Sequence, residues 1–128
     1  MLYLFESAID LLSFATMAQE DRLPWRSQHL LSLAGVYQPK KNLAERRLPL
    51  ALSQYLRDHR EIQTIYLCLD NDLAGRSAAD AIRQQLAGKY VVRDGFPCQG
   101  KDYNDWLCLR KGLPITRTVP KTERSIAR

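Results

Sequence analysis

The chain has 128 residues, 45% of them apolar and 26% charged, which suits one domain with one core and excludes disorder throughout. No apolar run approaches the ~20 residues that a membrane span needs. The net charge of +5 sits at the end of the chain, because residues 1–109 are neutral overall. The first element, Leu2-Tyr3-Leu4-Phe5, reads as a strand. A helix from Ser7 to Met17 follows, with Ser7 as its N-cap and Ile9 and Leu12, joined by Ala8, Leu11 and Ala15, as its apolar face. A polar loop with Pro24 leads to a second strand over Leu30–Val36. Next come a loop with Pro39 and the basic run Lys40, Lys41, Arg46 and Arg47. Leu48–Arg60 reads as a helix with Leu52, Tyr55 and Leu56 on one face, Pro49 being tolerated in its first turn. Thr64–Leu69 is a continuous apolar strand, as expected where both faces of a sheet are covered. Leu73–Ala87 is a helix with Ala78, Ile82 and Leu86 at four-residue spacing and Gly88 as its stop. Tyr90-Val91-Val92 is a fourth strand, extending to Arg93. Asp102–Leu109 reads as a short final helix.

Alternating strands and helices argue for an α/β fold with a parallel sheet and right-handed crossovers. In such sheets ligands sit beyond the carboxyl ends of the strands. Glu6 follows the first strand, Asp70, Asn71 and Asp72 follow the third, and Asp94, Asp102 and Asp105 follow the fourth. Asp70 and Asp72 are two residues apart and point to one side of an extended chain, where Glu6 can face them. Two such charges ~4 Å apart repel by about 4 kcal/mol at an effective dielectric of 20. A divalent cation offsets this, and oxygen donors favour Mg²⁺ or Mn²⁺ over zinc. The alternative is a carboxyl group that keeps its proton and serves as acid or base. Taken singly, Asp72 also reads as a helix N-cap.

These residues resemble the TOPRIM family. Leu4-Phe5-Glu6-Ser7-Ala8-Ile9-Asp10 is similar to its first motif, a strand ending in Glu with Asp four residues on. Leu67-Cys68-Leu69-Asp70-Asn71-Asp72-Leu73-Ala74-Gly75-Arg76 is similar to its Asp-x-Asp motif, in the form seen in bacterial-type primases. Gly100-Lys101-Asp102-Tyr103-Asn104-Asp105-Trp106-Leu107 is similar to the run that closes the primase-like domains of plasmids and other mobile elements. The resemblance spans about residues 1–109. It implies a Rossmann-like fold with about four mainly parallel strands flanked by helices, and leaves 110–128 as a basic tail or linker. It implies Glu6, Asp70 and Asp72 as catalytic residues, and these three with Asp102 as ligands to Mg²⁺ or Mn²⁺. Arg76, Lys101 and Gly75 are candidates for contact with phosphate or nucleic acid. Asp10, Asn71 and Asp105 are candidates to support the ligands from behind, and Asp10, one helical turn beyond Glu6, is also a candidate to face the metal itself. Other readings stay open: a tight turn at Gly75, a solvated Lys101, a surface Asp10, and capping or first-turn charge at Asp102 and Asp105.

The function implied is Mg²⁺-dependent chemistry on DNA, or on RNA or nucleotides, most like nucleotidyl transfer by a primase within a larger replication or mobile-element protein. A TOPRIM-type endonuclease that nicks or cleaves DNA needs the same carboxylates. A non-catalytic DNA-binding or scaffold module that keeps the fold is the alternative of another class. No tyrosine stands out as a topoisomerase nucleophile. A haloacid-dehalogenase-type phosphatase would carry Asp-x-Asp after the first strand instead. Cys68, Cys98 and Cys108 are odd in number and lack Cys-x-x-Cys spacing, so a zinc site is not expected, Cys68 reads as a core residue, and a reducing cytoplasm fits. No basic region precedes the first strand, so no secretory signal is expected. A strand starting at the second residue suggests a piece of a longer protein. In the tail, Arg110, Lys111, Arg117, Lys121, Arg124 and Arg128 face Glu123 alone. This tail and the basic run at 40–47 could contact phosphates, or be simply solvated.

Overall fold

A computed structural model describes residues 1–33 and 48–114. The expected strand end at 33–36 and the basic run at 40–47 lie largely or wholly outside the described residues, as does the tail beyond 114. Four strands, β1 (Leu2–Phe5), β2 (His29–Ser32), β3 (Thr64–Cys68) and β4 (Val91–Asp94), form one sheet in the order β2-β1-β3-β4. Every pairing is parallel, with Leu4 opposite both Leu31 and Leu67, and Leu67 opposite Asp94. Four helices connect and flank them: α1 (Ala8–Glu20), α2 (Leu50–Asp58), α3 (Leu73–Leu86) and α4 (Tyr103–Arg110). A short 3₁₀ turn at Trp25–Ser27, not expected from the sequence, leads into β2. No helix among the described residues is long and apolar enough to cross a membrane.

The order of the strands decides where the crevice lies. The chain leaves β1 toward β2 on one side and leaves β3 toward β4 on the other. Right-handed crossovers then carry α1 to one face of the sheet and α2 and α3 to the opposite face. The carboxyl ends of the neighbours β1 and β3 therefore flank a topological switch point, the place where open α/β sheets bind ligands.

The packing follows the two-residue alternation of the strands. Leu2, Leu4, Ile65 and Leu67 pack with Leu52 and Leu56 of α2 and with Ala78, Ile82 and Leu86 of α3. Phe5 and Cys68 look the other way, into a layer with Met17 and Phe14 of α1 and Tyr103 and Trp106 of α4. This second layer is aromatic: Tyr3 stacks on Tyr66 at 5.0 Å between centroids, and Tyr103 meets Phe5 and Phe14 edge-on at 5.6 Å. Burial pushes the Cys68 thiol up to about 12, so it is an inert member of the core, as expected. Tyr103 is buried, donates to the Gly95 carbonyl at 2.6 Å, and titrates far above an ordinary tyrosine because of its burial.

One expectation fails. Ile9 and Leu12, read as the core face of α1, are 58% and 62% exposed. The helix turns Asp10 and Ser13 inward instead, to 4% and 3% exposure. The reason is α4, the neighbour against which α1 packs. The first turn of α4 brings the Asn104 N–H, which Asp10 accepts, and the Asn104 side-chain oxygen, to which Ser13 donates.

Candidate metal centre

Three helices begin at the carboxyl edge of the sheet, and each is capped by a side chain from its own sequence. Ser7 caps α1, accepting from the Asp10 N–H at 3.4 Å, and its hydroxyl donates back to Asp10 Oδ2 at 2.9 Å. Asp72 caps α3 through the Gly75 N–H at 2.7 Å, and Asp102 caps α4 through the Asp105 N–H at 2.8 Å. Caps of this type stabilise a helix by about 1 kcal/mol each. They also bring three positive helix ends to one place, which favours negative charge there.

The carboxylates gather at this edge. Asp10, Asp70 and Asp102 offer one oxygen each within 4.8 Å of one another. Asp70 comes from the end of β3, Asp10 from the first turn of α1, and Asp102 from the cap of α4. Asp10 is held at both oxygens, by the Ser7 hydroxyl and by the Asn104 N–H at 3.1 Å. Ser13 completes the contact, donating to Ile9 O at 2.8 Å and reaching Asn104 Oδ1 at 3.4 Å. Glu6 is half-buried after β1 and hydrogen-bonds to Asp70. A bond between two carboxyl groups requires that one of them hold a proton.

The electrostatics record the crowding. Asp70 is pushed up to about 8, first by burial, then by Glu6, Asp10 and Asp102, with Lys101 pulling the other way. Glu6 is raised by burial and by Asp72 and Asp10, against its bond to Asp70. Asp10 is raised by burial and by Asp102, against Ser7, Asn104 and Lys101. Apart from Lys101, the cluster is one of like charges sharing a proton.

The other expected residues have defined places. The ammonium of Lys101 stands 3.8 Å from Asp70 Oδ2 and 3.5 Å from Asp72 Oδ2. Asn71 receives Arg76 on its Oδ1, at 2.9 and 2.6 Å, and donates its N–H to the Lys101 carbonyl at 2.6 Å. Asp105 is buried and accepts from the Lys101 N–H at 2.9 Å, so it shapes the loop before α4. Gly100 turns that loop at φ +74°, where a Cβ would come within 2.4 Å of Asp105 Cβ. Gly75 is required by the chain itself, since a Cβ there would stand 1.9 Å from the Asp70 carbonyl oxygen. Asp94, expected after the fourth strand, is the last residue of β4 and pairs with Arg83 on the surface. Asn104 was not singled out, although it occupies the Asn position of the Lys-Asp-x-Asn-Asp run, and that run was the available signal. Cys68, Cys98 and Cys108 are free. Arg110 and Lys111 pair with Asp21 and Glu20 at the end of α1.

The sequence model for Toprim-like domains matches residues 3–107, most of the chain and all of its described elements from β1 nearly to the end of α4. The chain belongs to the Toprim-like family. No curated protein and no solved structure is significantly similar to it. Toprim-like domains bind divalent metals through acidic residues and act on nucleic acids. The donor set of this one fits such a metal. Carboxylate oxygens from three elements converge, and burial together with the neighbouring carboxylates raises Asp70 to about 8.

Proposed function

We propose that this Toprim-like domain carries out Mg²⁺-dependent nucleotidyl transfer on DNA, in the manner of a primase, within a larger replication or mobile-element protein. The observation that carries this reading is the convergence of Asp10, Asp70 and Asp102 at the switch point of the sheet. These three, with Glu6 and Asp72 beside them, would hold Mg²⁺ or Mn²⁺. When bound, such a cation supplies charge neutralisation and orientation of phosphate for in-line displacement. Glu6 lies beside Asp70 and its burial raises its pKa, so it is suited to take or return the proton of an attacking hydroxyl. Asp72 and Asp102 fix the helix starts that aim backbone N–H groups at the edge where phosphate would lie. Arg76, exposed in the first turn of α3 and steadied by Asn71, is placed for a phosphate contact, and Gly75 keeps that turn close to Asp70. Residues 1–109 then form the catalytic domain, and the basic stretch 110–128 serves as tail or linker with a contact to DNA. The free cysteines suit a cytoplasmic location.

Two measurements test the reading. Mg²⁺ titration of the chain should show binding that Asp70→Asn and Asp102→Asn weaken by about 100-fold, as loss of a direct ligand should. Equal binding in all three proteins would remove the metal centre. In the parent protein, template-directed incorporation of labelled nucleotides should require Mg²⁺ and vanish with Asp70→Asn. Plasmid nicking without nucleotides would assign a nuclease instead, and DNA binding with neither activity a non-catalytic module.

A further inference from the structure

Lys101 lies against the two carboxylates of the Asp-x-Asp motif, and its backbone leaves it little choice. Its N–H is bound by the buried Asp105 at 2.9 Å, and its C=O accepts from the Asn71 N–H at 2.6 Å. The second bond ties the Lys101 backbone to the residue between Asp70 and Asp72. The loop turn at Gly100 (φ +74°) fixes the approach. Only the four-carbon stem is left to move, and the side chain is 40% exposed, so the ammonium can swing out to water. Where it rests, it is 3.8 Å from Asp70 and 3.5 Å from Asp72, and its charge opposes the repulsion between Asp70 and the neighbouring Glu6, Asp10 and Asp102.

We propose that Lys101 is the internal counter-ion of this site, holding Asp70 and Asp72 together when no divalent cation is bound and competing with one for them. The inference rests on the acidic cluster being a cation site, and it assigns Lys101 a role different from direct contact with nucleic acid. Lys101 gives up the two carboxylates as the cation enters, and its pinned backbone keeps the ammonium nearby on the solvent side. The competition sets the affinity of the site: a cation must outbid a tethered charge as well as water. Lys101 is thus a positioning residue, acting through Asp70 and Asp72.

Mg²⁺ affinity is the direct readout, measured by calorimetry in one buffer for all the variants. Lys101→Met should tighten Mg²⁺ binding by about tenfold, the discounted worth of one half-exposed charge contact. Lys101→Arg should stay near wild type, and Lys89→Met, beyond the far end of α3, controls for the loss of one positive charge. Thermal unfolding in chelator provides a second readout. Lys101→Met should melt below wild type there, and Mg²⁺ should close the gap. Unchanged or weaker Mg²⁺ binding in Lys101→Met, with wild-type binding still sensitive to Asp70→Asn, would overturn the role of Lys101 alone. Absence of Mg²⁺ binding in wild type and Lys101→Met alike would overturn this role together with the metal centre.

Discussion

Helices α1 and α3 leave neighbouring strand ends and lie on opposite faces of the sheet, yet only α1 buries polar side chains together with apolar ones. Helix α3 buries Ala78, Ala79, Ile82 and Leu86 and leaves Leu73 exposed, as its four-residue spacing indicates. Helix α1 buries Asp10 and Ser13 while Ile9 and Leu12 face solvent. The difference comes from what each helix meets. The partners of α3 are Leu4, Leu67 and Leu52, which reward apolar burial. For α1 the N-terminal half meets the start of α4, where the Asn104 N–H donates to the Asp10 carboxylate and the Asn104 Oδ1 accepts from the Ser13 hydroxyl. Both helices hold the fold together, and α1 in addition delivers a carboxylate to the site.

The sharpest way to test the α3 side is Ile82, fully buried in the layer shared with α2. Ile82→Ala should cost about 3 kcal/mol, the transfer term plus a cavity that helix and sheet cannot fully close. Denaturant unfolding would show this as a lower midpoint at constant slope. A loss below about 1 kcal/mol would mean that the site collapses around the smaller side chain.

The same contrast explains how far the sequence could be read. β3 and α3 were legible because continuous apolar strands and four-residue spacing have one cause, burial against apolar neighbours. The capping roles of Ser7, Asp72 and Asp102 were legible for a similar reason, since a cap is a local bond within four residues. Burial of Asp10 was not legible, because its partner Asn104 lies 94 residues away in the chain and no local pattern announces the pairing. Periodicity alone therefore misplaced Ile9 and Leu12, while Ala15, expected on the same face, is buried and Leu11 packs against the aromatic layer. The acidic edge was expected from the residues that follow the strands and from the family motifs. Which oxygens converge depends on side-chain partners. Asp72 spends one oxygen on the Gly75 N–H and sets the other toward Lys101, while Asp10 and Asp102 close on Asp70. The strand order, and with it the switch point between β1 and β3, also came only from the structure.

The ligand-bearing side has its own signature in pH. Asp70 titrates at about 8 when folded against an ordinary 3.8. Between these values the folded chain keeps a proton on Asp70 that the unfolded chain has released. The stability due to this group is complete below about pH 4 and is lost as pH rises through about 8. In chelator, the melting temperature of wild type should therefore fall between pH 5 and about 9 relative to Asp70→Asn, whose neutral amide does not titrate. Mg²⁺ should restore wild type at the alkaline end and leave Asp70→Asn unmoved. Parallel pH profiles for the two proteins would show that the carboxyl groups at this edge do not share a proton.

The smallest effect is expected where the sequence pattern looks most like a core. Leu12 is 62% exposed, so Leu12→Ala removes side-chain area that was already in water, and alanine is the better helix former by a few tenths of a kcal/mol. The two contributions nearly cancel, and unfolding should shift by no more than about 0.5 kcal/mol in either direction. Set beside Ile82→Ala, this makes two truncations of aliphatic side chains in helices that differ several-fold because one neighbour is an apolar layer and the other is solvent. A loss of about 2 kcal/mol or more for Leu12→Ala would mean that α1 is covered on this side, and that Asp10 is held inward by an apolar contact across the helix as well as by Ser7 and Asn104.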